Sequence, residues 1–297
     1  MQASGWVSSD DEQFVATVRH AIDLGLNFLD TAAGYGDGHS EELVAKAIAG
    51  RRDQVVIASK FGFHHSRPPE IRRSLEQSLR RLRTDYIDVF QQHWPPPDVP
   101  LADTIGELER LKEQGLIRAI GVSNWMEPEW EELGDPSRVD SLQPCHSLLW
   151  RAIETNVLPL CRQYEVAVIT YSSLCQGALT GRFKSLADIP DDLRRQNRRL
   201  QGESFPHVLE VVNCLEEVAA GYGRTPGQTA LRWLLDQEGI TAAIVGASRP
   251  EQVDANLGAM DWELERADWQ RLSDITWPLS AQLGSHDALS GWHSKKG

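Results

Sequence analysis

Residues 24–48 read LGLNFLDTAAGYGDGHSEELVAKAI, and three textures follow one another within them. NFLDT (27–31) is a short apolar run of strand character, Gly34, Gly36 and Gly38 punctuate a loop, and Leu43, Val44, Ala47 and Ile48 recur at helical spacing. Strand, loop and helix in that order form the unit of a parallel sheet covered by helices. The three glycines do not make a dinucleotide-binding fingerprint, because the position that needs a third glycine is His39. They are expected instead to bend the loop so that Tyr35 turns inward, with Ser40 capping a helix that begins at Glu41.

The unit recurs outward from this stretch. Six more β-branched runs stand at 55–59 (VVIAS), 86–91 (YIDVFQ), 118–122 (RAIGV), 141–144 (SLQP), 167–171 (AVITY) and 242–245 (AAIV). Between them lie helical periods with clear punctuation: Phe14, Val18 and Ile22 closing at Gly25, Ile105, Leu108 and Leu111 closing at Gly115, and a Thr225–Pro226 start. Such regular alternation gives either a β/α barrel or an open doubly wound sheet, and periodicity leaves both open.

A length of 297 residues suits one large α/β domain spanning 1–297, with residues from about Trp277 onward read as an unperiodic tail. The net charge of -13 argues against a sequence-independent grip on nucleic acid, which requires a basic face. Arg72, Arg73, Arg80, Arg81 and Arg83 are read as the solvated side of a helix whose other side carries Ile71, Leu75, Leu79 and Leu82. No run is long and apolar enough for a membrane span, and residues 1–25 lack the features of a signal peptide, so a cytoplasmic protein is expected. Cys145, Cys161, Cys175 and Cys214 show neither metal-ligand spacing nor a disulfide framework, so no metal is expected.

Four polar residues fall at or just beyond the ends of the first three runs: Asp30, Tyr35, Lys60 and His93. Active sites of β/α folds gather on that rim. Singly, each has an ordinary structural reading: a helix cap, an aromatic lid, a solvated amine, a satisfied imidazole. Together they describe carbonyl reduction. The alkoxide left by hydride addition needs a proton, which Tyr35 can supply if Lys60 stabilises the phenolate and Asp30 holds Lys60 charged. A neutral His93 would orient the carbonyl oxygen.

These residues sit in stretches that resemble the aldo-keto reductase family in order and spacing: 24–48, VVIASKFG, IDVFQQHWP, IRAIGVSN, ITYSSLCQGALTGRF and IVGASRPEQVDANL. The resemblance implies the (β/α)8 barrel, reduction of a small-molecule aldehyde or ketone, and Tyr35 as proton donor with Asp30, Lys60 and His93. It also implies a nicotinamide cofactor, with Ser123, Asn124 and Gln143 at the carboxamide, Tyr171 stacked on the ring, and Ser172, Leu174 and Gly177 along the pyrophosphate. Gly246, Ser248, Arg249, Gln252 and Asn256 match the segment for the adenosine end, while Arg182, Arg194 and Arg195 lie in a loop where family members vary. Arg249 at an expected helix start favours NADPH over NADH. Trp94 and Trp125 are expected to line the substrate pocket.

One departure stands out. Family members begin with a hairpin and a first barrel strand, whereas MQASGWVSSDDEQ already adjoins the first helix, so the first strand is expected to be missing and Gly5 to Val7 to lie near the gap. Two other functions stay open: a Schiff-base aldolase using Lys60, and a cofactor-binding regulatory subunit without turnover. Oligomeric state and the identity of the substrate are not legible.

Overall fold

The computed structural model describes residues 10–202 and 204–283. In chain order the elements are α1 (Asp11–Asp23), β1 (Phe28–Asp30), α2 (His39–Ala47), β2 (Val56–Phe61), α3 (Pro68–Leu82), β3 (Ile87–Gln92), α4 (Leu101–Glu113), β4 (Ile117–Ser123), α5 (Glu127–Leu133) and β5 (Ser141–Gln143). There follow α6 (Val157–Gln163), β6 (Ala167–Thr170), α7 (Ser204–Gly221), α8 (Pro226–Leu235), β7 (Ile240–Ala243), α9 (Pro250–Leu257) and α10 (Arg266–Leu283). The strands run in chain order, β1 to β7, in an α/β fold with a parallel sheet. This is the strand order of a β/α barrel, and the expected count of seven holds among the described residues. The expected position of Gly5 to Val7 falls outside the described residues.

The chain divides into two compact units. The first comprises the residues up to Gln143 together with Leu160–Ala167 and Gly246–Val253. Within it, β2 and β3 carry Ile57, Phe61, Ile87 and Phe90, all wholly buried. Each such side chain contributes about 1.5–3 kcal/mol through loss of apolar surface to water. Helices α3 and α4 present Ile71, Leu75 and Leu82, and Ile105, Leu108 and Leu111, to the interior, as their periodicity requires. The registers Asp30↔Ala58, Lys60↔Gln91, Gln91↔Gly121 and Ser123↔Gln143 set the carboxyl ends of β1 to β5 in line. That alignment positions the site.

The second unit comprises Pro144–Pro159, Val168–Val245 and the chain from Asp254. Its core gathers Leu148, Leu149, Phe205, Val212, Leu215, Trp233 and Leu272. Thr225 caps α8 through a reciprocal pair with Gln228, the start the sequence announced. Strand β7 begins at Ile240, two residues before the run read from the sequence, because the left-handed Gly239 turns the chain into register with Val168. Helix α10 continues past Trp277 to Leu283, beyond the point where the sequence suggested a tail. Tertiary contacts account for this: Arg151 donates to Ser273 O at 2.5 Å and Thr276 Oγ1 at 3.0 Å, and its guanidinium lies 4.9 Å from the Trp277 ring centroid.

Strand β3 is buried at every position, whereas β1 and β7, first and last in the order, are only partly so. Among the described residues no helix is long and apolar enough to cross a membrane.

Candidate active site

The carboxyl end of β1 delivers Asp30, and β2 delivers Lys60 beside it. Burying an ammonium is costly unless opposite charge and acceptors meet it. Lys60 Nζ, with its side chain wholly buried, donates to Asp30 Oδ1 at 2.8 Å and Oδ2 at 2.6 Å, and to Thr31 O at 2.9 Å. Its remaining polar neighbour is Tyr35 Oη at 3.5 Å. Burial acts to lower the Lys60 pKa, but the charge of Asp30, then Tyr35, and the bonds to both carry it above the ordinary value of 10.5. The amine is therefore an ammonium at neutral pH.

Tyr35 reaches this position from a loop in which Gly36, Asp37 and Gly38 have φ of 61°, 52° and 91°. Left-handed backbone at three successive residues makes the sharp bend expected of the glycines. The helix after the loop differs from expectation at its start: α2 begins at His39 after Gly38, with no side-chain cap. Ser40 is already inside the helix, and its Oγ accepts from Thr31 Oγ1 at 2.9 Å instead of capping. Thr31, which the sequence reading gave no part, thus touches both the ammonium and the loop. Its one visible signal was adjacency to Asp30.

His93 follows β3, its ring set edge-on to Tyr35 with centroids 5.6 Å apart at 78°, and stacked at 6.5 Å on Trp94. Burial, and then the Lys60 charge, hold the imidazole pKa down to about 3 against the pull of Asp30. A neutral imidazole can donate one hydrogen bond to an oxygen. Its backbone carbonyl is held by Asn124 Nδ2 at 2.9 Å, from a residue with φ of 62°.

Ser123, Asn124 and Gln143 are brought to the same place. Ser123 Oγ donates to Gln143 O at 2.7 Å, Asn124 Nδ2 to Ser123 Oγ at 3.1 Å, and Gln143 Nε2 to Asp30 Oδ1 at 2.7 Å. Gln143 Nε2 also faces Gln91 Oε1 at 3.4 Å, while the buried Gln91 Nε2 has no hydrogen-bond partner among the described residues. Trp125 is placed differently from its expected role. It is wholly buried, gives its indole N–H to Gln92 Oε1 at 2.8 Å and sets its ring edge-on to Trp130 at 5.2 Å. Trp94 is half-buried.

The remaining residues of the first unit lie around the start of α9. Ser248 donates to Gln252 Oε1 from both its backbone N at 2.7 Å and its Oγ at 3.0 Å. Arg249 has a side chain 60% exposed and forms a loose 3.8 Å ion pair with Glu251. Among the described residues a Cβ on Gly246 would meet nothing within 4 Å.

In the second unit Tyr171 continues from β6 and forms a parallel bridge with Cys145. Ser172, Cys175, Gln176 and Gly177 then have φ of 56°, 47°, 55° and 97°, a run of strained backbone of the kind found at ligand sites. Leu174 lies within this turn, and Arg182 folds back so that its guanidinium would collide with a Cβ on Gly177. Asn256 stands on α9, its carbonyl accepting from Ala259 N at 3.0 Å.

Comparison with known proteins places the fold in a family. The model of the aldo/keto reductase family matches residues 1–276. The aldo-keto reductase YhdN of Bacillus subtilis is 37% identical over 282 residues, covering 91% of this chain and 85% of that protein. Among solved structures, a glycerol dehydrogenase from Gluconobacter oxydans superposes with a TM-score of 0.83 at 35% identity, covering 91% of this chain and 86% of that one. An aldo/keto reductase from Klebsiella pneumoniae, in complex with NADP and acetate, gives a TM-score of 0.78 at 32% identity, covering 93% and 89%.

Proposed function

The chain belongs to the aldo/keto reductase family, and on that premise we propose that it reduces aldehydes or ketones to alcohols with NADPH, Tyr35 giving the proton. The observation that carries the reading is the Lys60 ammonium, held by both oxygens of Asp30 and within 3.5 Å of Tyr35 Oη. As negative charge grows on the substrate oxygen, Tyr35 Oη gives up its proton, and the phenolate left behind is met by the Lys60 charge. Neutral His93 donates a hydrogen bond to the same oxygen and sets its direction. Trp94 is assigned to the substrate wall, and the buried Trp125 to supporting it.

When bound, NADPH supplies the hydride. The residues present suit such a group. Ser123, Asn124 and Gln143 offer amide and hydroxyl groups for the carboxamide. Tyr171 offers a ring face, Ser172, Leu174 and Gly177 a strained turn for the pyrophosphate, and Gly246, Ser248, Arg249, Gln252 and Asn256 a helix start and an exposed cation for the adenosine phosphate. NADP in the Klebsiella relative supports NADPH over NADH. The expectation of a single domain over residues 1–297 is kept in this proposal.

A Schiff-base aldolase needs a neutral amine, and the raised Lys60 pKa argues against that alternative. The test is NADPH oxidation across a panel of aldehydes, ketones and sugars, with Tyr35→Phe as the paired variant. Turnover that appears only with a carbonyl and falls by orders of magnitude in Tyr35→Phe is expected. NADPH binding with no turnover on any carbonyl would favour the regulatory-subunit reading.

A further inference from the structure

The loop carrying Tyr35 departs from ordinary helix initiation. Ser, Thr, Asp or Asn normally caps a first turn, and a Glu at the third position often turns back to the cap N–H. Here the cap position is Gly38, buried and left-handed at φ 91°, and it offers no side chain. Glu41, at the third position of α2, is turned inward and wholly buried. Its Oε1 accepts from Ser59 Oγ at 2.6 Å and its Oε2 from Arg81 Nε at 2.6 Å. A Cβ on Gly38 would lie 2.5 Å from Arg81 Cδ and 2.6 Å from its Nε, so the arginine fills the room in which a capping side chain would sit. Local capping has been given up to bring one cation beneath the loop, and rules broken in this way tend to mark functional sites.

The bonds around this pair lead directly to the proposed reacting atoms. Ser59, which holds one carboxylate oxygen, immediately precedes Lys60 on β2. Ser40, which precedes Glu41, donates from its N to Tyr35 O at 3.2 Å and accepts at Oγ from Thr31 Oγ1 at 2.9 Å. The carbonyl of Thr31 in turn accepts from Lys60 Nζ at 2.9 Å. Tyr35 is therefore tied to one framework at its backbone through Ser40 and at its hydroxyl through Lys60.

We propose that Arg81 and Glu41 are positioning residues for the reaction: their buried ion pair seats the 34–40 loop against β2 and so fixes Tyr35 Oη over Lys60 Nζ. The proposal rests on the assignment of Tyr35 as proton donor. An apolar pair of the same volume could fasten α2 to α3 equally well, since buried ion pairs add little net stability. Directional bonds hold the loop in angle as well as place, and misplacement by about 1 Å can cost on the order of a hundredfold in rate.

The test compares Arg81→Met, Arg81→Lys, Gly38→Ala and Tyr35→Phe with the unaltered chain, reading kcat, KM, NADPH Kd and melting temperature. Arg81→Met is expected to lower kcat by roughly 10- to 100-fold while NADPH Kd stays within about twofold, and Arg81→Lys to recover part of the loss. Gly38→Ala, which removes neither charge but displaces Arg81, is expected to lower kcat in the same way. A lower melting temperature with kcat unchanged would show a purely structural pair and overturn the proposal. Should Arg81→Met fail to fold, unchanged kcat in both Gly38→Ala and Arg81→Lys would overturn it equally. If Tyr35→Phe keeps its turnover, the proton-donor assignment fails; if it loses turnover while the loop variants keep theirs, only the positioning role fails.

Discussion

Two loops, one in each unit, place an arginine against a left-handed glycine, and they differ in what meets the cation. In the first unit Arg81 lies over Gly38 and ends on the buried carboxylate of Glu41 at 2.6 Å. In the second, Arg182 lies over Gly177 but reaches a backbone carbonyl, Gln176 O, at 3.3 Å. Burial, and then the charge of Arg194, hold the Arg182 pKa below its ordinary value, with Asp192 acting against them. Asp192 is itself engaged by Arg194 at 2.6 Å. A guanidinium closed by an internal carboxylate fixes a loop, while one held at a backbone carbonyl beside a second cation ties its loop less firmly. The first arrangement suits the proton donor proposed at Tyr35, and the second lies in the turn proposed for the pyrophosphate.

The contrast can be broken from either side. The largest effect is expected at the residue the first loop carries: Tyr35→Phe should reduce kcat by about 10²- to 10⁴-fold, the usual worth of a general acid, with NADPH Kd unchanged. Loss of NADPH binding in steady fluorescence titration would instead place Tyr35 in the cofactor site. Next comes the second loop. Arg182→Ala should raise NADPH Kd by roughly tenfold, as expected for one charge-assisted contact of about 1.5 kcal/mol, and flatten its salt dependence while kcat changes little. If kcat fell and Kd held, Arg182 would act on the chemistry and not on cofactor binding.

Smaller effects concern pH. His93 titrates near pH 3 in the folded chain, below the ordinary 6.5 of an imidazole. Its contribution to stability is therefore full above about pH 6.5 and is lost as pH falls toward 3, because only the unfolded chain takes up that proton across this window. Acid unfolding between pH 6 and 4, followed by circular dichroism, should be less steep in His93→Asn than in the unaltered chain. The same neutrality predicts a kcat profile with no acid limb near pH 6.5. A limb there that vanished in His93→Asn would mean that the imidazole is charged in the working enzyme.

Much of this was legible in the residues because it depends on short-range rules. Strands such as β2 and β3 are buried and β-branched, so their apolar runs stand out wherever helices alternate with them. Asp30, Lys60 and His93 end those runs, and strand ends of a β/α fold share one rim. What could not be read depends on partners distant in sequence. Arg81 sits on the polar side of an arginine-rich helix, and the carboxylate of Glu41, 40 residues earlier, draws it inward. Without Glu41 it would read as solvated. Trp125 follows the Ser123–Asn124 pair and promised a pocket wall, yet Gln92 and Trp130 hold it inside. Helix α10 runs past Trp277 because Arg151, more than 120 residues away, bonds to Ser273 and Thr276.

The central claim is that Tyr35, tuned by Lys60 and Asp30, passes the proton in carbonyl reduction. Single-turnover oxidation of bound NADPH by a carbonyl substrate tests it most directly, comparing the unaltered chain with Tyr35→Phe at equal cofactor occupancy. The account predicts rapid oxidation in the first and a rate at least a hundredfold lower in the second, the loss typical of a missing general acid. Equal rates in the two proteins would contradict it.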